Sequence, residues 1–325
     1  MKRFLARLAL HAALTLFAGL FAPSLFAQSW PTKPIRLIVP FGSGGAQDTM
    51  ARSMNAELGQ LLGQTVIVEN RVGAGGTIGT AFVAKAPPDG YTMILSAASH
   101  TINGSFYRKL DYDPLRDFTP IAALAVTNYV LVGSGAAPFK TIAELITYGK
   151  ANPGKLNYSS AGVGSAGHLS AAYFLALAGV DAVHVPTKGM GDAMTEVVAG
   201  RCDLTVLTNN VALPFSKDAR TRFLGVTSPG PSRFVPGTPA IGATLNGYEF
   251  ESWFGLLGPA GIPKAIVDRV NAAVMQVIKQ PEIAERLNKQ GADPLTMPSD
   301  QFATYLKADF ERMAKVVKAS GAKVE

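Results

Sequence analysis

Twice in this chain a short apolar run empties into a glycine-rich loop, and the loop opens a helix. In the first copy, Ile35, Leu37, Ile38 and Val39 lie between Pro34 and Pro40 and read as a buried strand. The loop Phe41-Gly42-Ser43-Gly44-Gly45 follows, and then Met50 or Ala51, Met54, Leu58 and Leu61 or Leu62 recur at helical spacing. In the second copy, Leu156 to Ser159 is the strand, Ser160 to Gly167 the loop, and His168 to about Ala178 a helix that is apolar nearly all round. A unit of this kind presents free backbone N–H groups beside the positive end of a helix dipole, which makes an anion site. A single copy reads equally well as a plain glycine-rich turn; the repetition favours a ligand.

The other segments fit the same grammar. Val66 to Val68 reads as a strand running into Gly73, Gly75, Gly76 and Gly79 around a helix from Thr77 to about Lys85. Tyr91 to Leu95 is another strand, opening into Ser96 to Thr101. Strands alternating with helices predict an α/β fold with mainly parallel sheets flanked by helices, and ligands at the carboxyl ends of the strands. Ile121 to Val126 and Tyr129 to Val132 form two apolar runs separated by Thr127-Asn128, read here as the chain leaving one lobe for another. Phe250 to Leu257 carries it back after a proline- and glycine-rich connection, Pro229 to Pro239. The predicted organisation is a leader at 1–27, a first lobe over 28–126, a second over 127–228, and a connection with the remainder of the first lobe over 229–325, leaving a cleft between two linkers.

The leader rests on Lys2, Arg3 and Arg7 before an apolar stretch, Leu8 to Leu20, with Pro23 and then Phe26-Ala27 beyond it. This is the shape of a secretory signal, with cleavage expected near Ala27. Without it, 27 basic residues face 23 acidic ones, a net charge near +4. That mild excess, with no basic run, argues against nucleic acid as a partner. Cys202 is the only cysteine, so the chain can form neither an internal disulfide nor a cysteine-based metal site.

Catalytic signatures are missing from the sequence. The four histidines, His11, His100, His168 and His184, show no metal-ligand spacing, and no GxSxG, HExxH or Walker pattern occurs. No metal, cofactor or catalytic residue is expected. Gly162, Gly164 and Gly167 do satisfy GxGxxG with Asp181 about twenty residues on, which keeps an exported or dinucleotide-using enzyme as the alternative. Against it, Asp181 falls at the start of the next strand, where a ribose-binding acid would sit at the end. Ser165 and His168 stand at the opening of the second helix, either as added donors to a ligand or as an N-cap and a structural imidazole. Asp48, in the first turn of the first helix, favours the dipole but would repel an anion. It is read either as loop support or as a partner for a hydroxyl, an amine or water. Gly73 to Gly79 is read as structural, and Lys188 as either a counter-charge or a solvated lysine.

Ordered motifs along the mature chain resemble a known family: WPTKPIRLIVPF with Gly44-Gly45 and Asp48, VIVENRVGAGGTIG, APPDGYT, YDPLRDFTPIA, ANPGKLNYSSAGVGS with His168, VHVPTKG, SWFGLLGPAG and the terminal KASGA. The chain resembles the periplasmic solute-binding proteins of tripartite tricarboxylate transporters, the Bug or TctC-like family. The resemblance implies a two-lobed, Venus-flytrap binding protein, monomeric, exported to the periplasm. Such a protein captures a small organic carboxylate and delivers it to large and small integral-membrane permease subunits. Carried over by position, the ligand-binding residues would be Phe41, Ser43, Gly44, Gly45 and Asp48, with Ala98 and Ser99, then Ser160, Gly164, Ser165 and His168, and Thr187. Three departures bear on the ligand: Gly42-Ser43 where prolines are common, Thr187 where a tyrosine is common, and Leu207-Thr208-Asn209-Asn210 where an acid and a proline are usual.

Overall fold

The computed structural model describes residues 30–289 and 291–322, so the expected leader at 1–27 lies outside the described residues. From Lys33 onward the described residues pack as a single unit. Within it the first strand–loop–helix unit forms as its apolar spacing dictates. Strand β1 (Ile35–Val39) is almost wholly buried, and helix α1 (Ala46–Leu62) turns Met50, Ala51, Met54, Leu58 and Leu62 inward. Each large side chain so buried contributes about 1.5–3 kcal/mol. Strands β2 (Val66–Asn70) and β3 (Thr92–Ala97) flank β1 in parallel. Helices α2 (Thr77–Ala84) and α3 (Ser99–Phe106) follow β2 and β3 respectively.

Beyond α3 the sequence reading and the structure part. The two apolar runs around Thr127 are one continuous 17-residue strand, β4 (Phe118–Ser134). The chain then builds α4 (Ile142–Ala151), β5 (Leu156–Ser160), α5 (Ala166–Ala178), β6 (Ala182–Pro186), α6 (Met190–Val198), β7 (Leu204–Thr208), the short α7 (Asn209–Ala212) and β8 (Thr221–Val226). It ends with β9 (Glu251–Pro259), α8 (Lys264–Ile278), α9 (Pro281–Lys289), β10 (Ala292–Met297) and α10 (Ser299–Ser320).

All ten strands join one sheet in the order β2-β1-β3-β9-β4-β7-β5-β6, with β10 and β8 also on β4. Strand β4 is the seam. Phe118 to Asn128 pairs with β9 and β10, whereas Tyr129 to Ser134 pairs with β7 and β8. Each half thus contains one parallel trio, β2-β1-β3 or β6-β5-β7, finished by antiparallel strands. The sheet is therefore mixed. The antiparallel share comes from β4, which runs antiparallel to β7, β8, β9 and β10, and from β9, which inserts between β3 and β4. Helix α10 packs against α3, α5 and β4 and so touches both halves.

Candidate functional site

In both halves the parallel strands point their carboxyl ends at one cavity of about 20 Å³. Gly45, Ala46 and Gln47 bring the start of α1, Ala97 and Ser99 the start of α3, and Ala161, Ser165 and Ala166 the start of α5. Phe41, Met190, Thr208, Tyr129 and Phe254 complete the wall. This is the edge at which open α/β sheets bind ligands. A larger groove of 740 Å³ lies on the flank of α5, strand β6 and the end of α10, but receives nothing from the first glycine loop.

The two helix ends are built differently. Gly45 caps α1 without a side chain, so no side-chain oxygen occupies the first-turn N–H groups at the cavity. Ser165 caps α5, its Oγ accepting the His168 backbone N–H at 3.2 Å. The glycines of the second loop have packing and turn reasons for being glycine. Gly162 and Gly164 adopt positive φ, and a Cβ on Gly167 would come within 2.7 Å of the Val206 carbonyl oxygen. The GxGxxG spacing thus reflects tight helix-on-strand packing.

Of the positions singled out from sequence, Phe41, Gly45, Ser99 and Ser165 line the cavity. Ser43 and Gly44 are exposed at the tip of the first loop. Asp48 is buried and turned to its own loop. Its carboxylate accepts the Gly44 N–H at 2.9 Å, Ser43 Oγ at 3.3 Å, Arg52 Nε at 3.0 Å and the Asn70 amide at 2.9 Å. Burial works against that charge, but the Arg52, Gly44 and Asn70 hydrogen bonds hold the carboxyl below its ordinary range. The same Asn70 amide donates to the Phe41 carbonyl at 2.9 Å, tying β2 to the loop.

His168 faces the 740 Å³ groove. Its Nδ1 accepts the Gly164 N–H at 3.3 Å, and its ring stacks on His184 with centroids 4.1 Å apart. Ser160 Oγ lies 2.6 Å from His184 Nε2. Burial, and then the neighbouring His184, lowers His168 to about 3, while burial lowers His184 to about 4. Both rings are therefore neutral at pH 7. Ala98 is fully buried behind the cavity, between Ala97 and Ser99, which reach it. Thr187 donates to the Ser160 and Gly189 carbonyls; with Lys188 it lines a 320 Å³ groove that shares Phe41 and Ala161 with the cavity.

Contacts beside the second loop join the halves. Tyr107 Oη, just past α3, donates to the Val163 carbonyl at 3.0 Å, and Phe106 meets the His168 ring edge-on. A Cβ on Gly75 would overlap the same Val163 carbonyl. The Gly73 to Gly79 loop thus packs directly on the second half.

Tyr129, Met190, Thr208 and Phe254 were not anticipated as a group. Tyr129 and Thr208 are Cα partners across β4 and β7, a pairing that no local pattern encodes. Burial pushes the Tyr129 hydroxyl above its ordinary range, so it remains a neutral O–H. Behind the wall, the buried Asp309 of α10 accepts from Thr101 Oγ1 at 2.6 Å and Trp253 Nε1 at 2.8 Å, fixing the helix that carries Ser99 and the strand that carries Phe254. Among the described residues no group of three or more potential metal ligands converges, and no helix is long and apolar enough to cross a membrane.

Comparison with known proteins agrees with this architecture. The periplasmic binding protein BugD superposes with a TM-score of 0.87 at 30% identity, covering 91% of this chain and all of BugD. Rpa4515 of R. palustris, solved with adipate, gives 0.86 at 34% identity, with 91% of this chain and 100% of that chain covered. MatC of Rhodopseudomonas palustris, solved with malate, gives 0.85 at 31%, covering 89% and 100%. Residues 50–322 match the family described as the tripartite tricarboxylate transporter family receptor, a class of solute-binding receptors rather than enzymes. The chain belongs to that family.

Proposed function

We propose that the chain is a periplasmic solute-binding protein that captures a small organic carboxylate between two lobes and delivers it to a membrane permease. The two halves of the sheet, meeting along β4, are the lobes, and the leader at 1–27 directs export and is removed near Ala27. The observation that carries this reading is the convergence of the α1 and α5 N-termini, one from each half, on one cavity free of acidic side chains. N–H groups and the positive ends of two dipoles favour an anion there. An anion touching both halves stabilises the closed arrangement, the differential contact that a hinge-type receptor requires. The relatives solved with adipate and with malate support a carboxylate as that anion.

A thermal-shift screen of the mature chain against small carboxylates tests the reading. A ligand that binds the folded state alone adds about 2.7 kcal/mol at a hundred times its Kd. At about 2–4 °C per kcal/mol, the melting point rises by several degrees. Gly45→Val removes the shift: its φ of −72° is open to any residue, but a Cβ there meets the Gly42 carbonyl oxygen at 3.0 Å, so the loop must shift, and the side chain fills the cavity. A Gly45→Val protein that folds and still responds places the ligand elsewhere.

A further inference from the structure

Tyr107 stands one residue past α3, where the backbone has left the helix for an extended conformation, and its side chain reaches the second half of the molecule. Its Oη donates to the Val163 carbonyl at 3.0 Å. Partial burial pushes the phenol above its ordinary range, so at neutral pH it keeps the proton that this bond uses. The next amide along the loop, the Gly164 N–H, donates to His168 Nδ1 at 3.3 Å. One peptide unit, Val163–Gly164, is thus held from both sides: its carbonyl by the first half, its N–H by the second. That unit lies directly before Ser165, which caps α5 and lines the cavity; Tyr107 and Val163 themselves do not line it.

The contact requires close approach. Gly75 packs so near that a Cβ would overlap the Val163 carbonyl, and its own carbonyl accepts the Asn103 amide at 3.1 Å. A Cβ on Gly164 would lie 2.7 Å from the Tyr107 ring and 2.9 Å from Asn103 Oδ1. Parting the halves by about 1 Å at this point breaks the Tyr107 bond, because a hydrogen bond is lost beyond about 3.5 Å. Given the two-lobe reading above, we propose that Tyr107 is a closure latch. Its hydroxyl seats on Val163 only when the halves are together, fixes the second loop ahead of α5, and slows release of the bound solute. Tyr107 is a positioning residue, since it acts on the cavity through the loop. The bond stabilises the closed state alone, so its loss speeds opening and leaves encounter with the open form unchanged. Water from the 740 Å³ groove, which both residues line, solvates the freed carbonyl, so the closed state loses about fivefold in population relative to the open one.

Tyr107→Phe removes the hydroxyl and keeps the ring. Tyr173→Phe is the control, because its hydroxyl donates to the Gly247 carbonyl at 3.1 Å, a bond within the second half. Stopped-flow kinetics with malate and adipate, the acids of two relatives, compare both variants with the parent, and small-angle scattering compares the three proteins without ligand. The expected result for Tyr107→Phe is release about fivefold faster, with an association rate within about twofold of the parent. Tyr173→Phe should match the parent. Unchanged release from Tyr107→Phe overturns the latch and leaves the carboxylate receptor standing, and so does a lowered melting point accompanied only by slower association, the mark of a merely structural role. Faster release from Tyr173→Phe overturns it as well, since loss of any tyrosine bond would then suffice. If neither acid binds the parent, the carboxylate reading loses its support and scattering decides the latch alone. A larger radius of gyration for Tyr107→Phe than for the parent then supports it, and equal radii overturn it.

Discussion

The two glycine loops present the same surface to the cavity and are held by opposite chemistry. Loop 41–48 is pinned by a buried carboxylate, Asp48, which gathers the Gly44 N–H, the Asn70 amide and the Arg52 guanidinium. Loop 160–168 contains no charge. It is held by a serine cap and by a stack of Tyr158, His168 and His184, with Ser160 against the last ring. A backbone anion site needs its N–H groups fixed in direction, and either support achieves that. What differs is the condition under which each fails.

Removing the charged support has the largest expected effect. Asp48→Ala leaves the Gly44 N–H without its acceptor and leaves Asn70 with only its bond to the Phe41 carbonyl to hold β2 to the loop. Arg52 is half exposed and is hydrated when its partner goes, so the full penalty of a stranded buried charge does not apply. A loss of about 2–3 kcal/mol in urea unfolding is expected, together with loss of the ligand-induced shift. Arg52→Ala, by contrast, should cost about 1 kcal/mol or less. An Asp48→Ala protein within 0.5 kcal/mol of the parent would show that the two loops do not differ in their support.

Acid separates the loops next. His168 and His184 titrate at about 3 and about 4 when folded, against about 6.5 unfolded, because burial disfavours the imidazolium. Between those values the unfolded chain binds more protons, so stability is full above pH 6.5 and falls as the pH drops toward 4. At pH 5 the loss is up to ~2 kcal/mol per imidazole, and less for the half-buried His184. The Asp48 carboxyl is lowered instead, so its contribution persists until the pH falls below about 3.8. His100, lowered to about 4 by burial in the first half, shares the histidine window, so a variant is needed to assign the effect. His168→Gln should lose less stability than the parent between pH 7.5 and 5.0. Parallel curves for the two proteins would remove the second loop from the acid response.

The same contrast explains what was legible in the sequence. Both loops, their helices and the capping serine are local patterns: an apolar run, glycines, then 3.6-residue periodicity. The pattern itself offered Ser165, and the family resemblance carried over Phe41, Gly45 and Ser99; all four line the cavity. The direction of a side chain at a helix start was not legible. His168 and Asp48 both lie in first turns, yet one faces a stack on the outer groove and the other its own loop. Nor could local pattern show that Tyr129 meets Thr208, or that β9 inserts between β3 and β4, because those pairings join segments many residues apart. Tyr129 and Phe254 read in sequence as strand residues, and sheet register brings them together with Thr208, while Met190 arrives at the same edge with the start of α6.

The smallest expected effect sharpens the comparison at the helix ends themselves, where Gly45 caps without a side chain and Ser165 caps with one. Ser165→Ala removes the acceptor for the His168 N–H and should cost about 1 kcal/mol of stability. It also removes a hydroxyl from the cavity wall, one donor among several, worth about 1 kcal/mol of binding, or roughly fivefold in Kd. Ser165→Gly separates the two roles, because glycine is a tolerable N-cap and costs only a few tenths of a kcal/mol in place of serine. If the hydroxyl serves the ligand, the alanine and glycine variants bind equally weakly while differing in stability. If Ser165 serves only as a cap, binding by the glycine variant stays at the parent level, and the second loop, like the first, offers the ligand backbone alone.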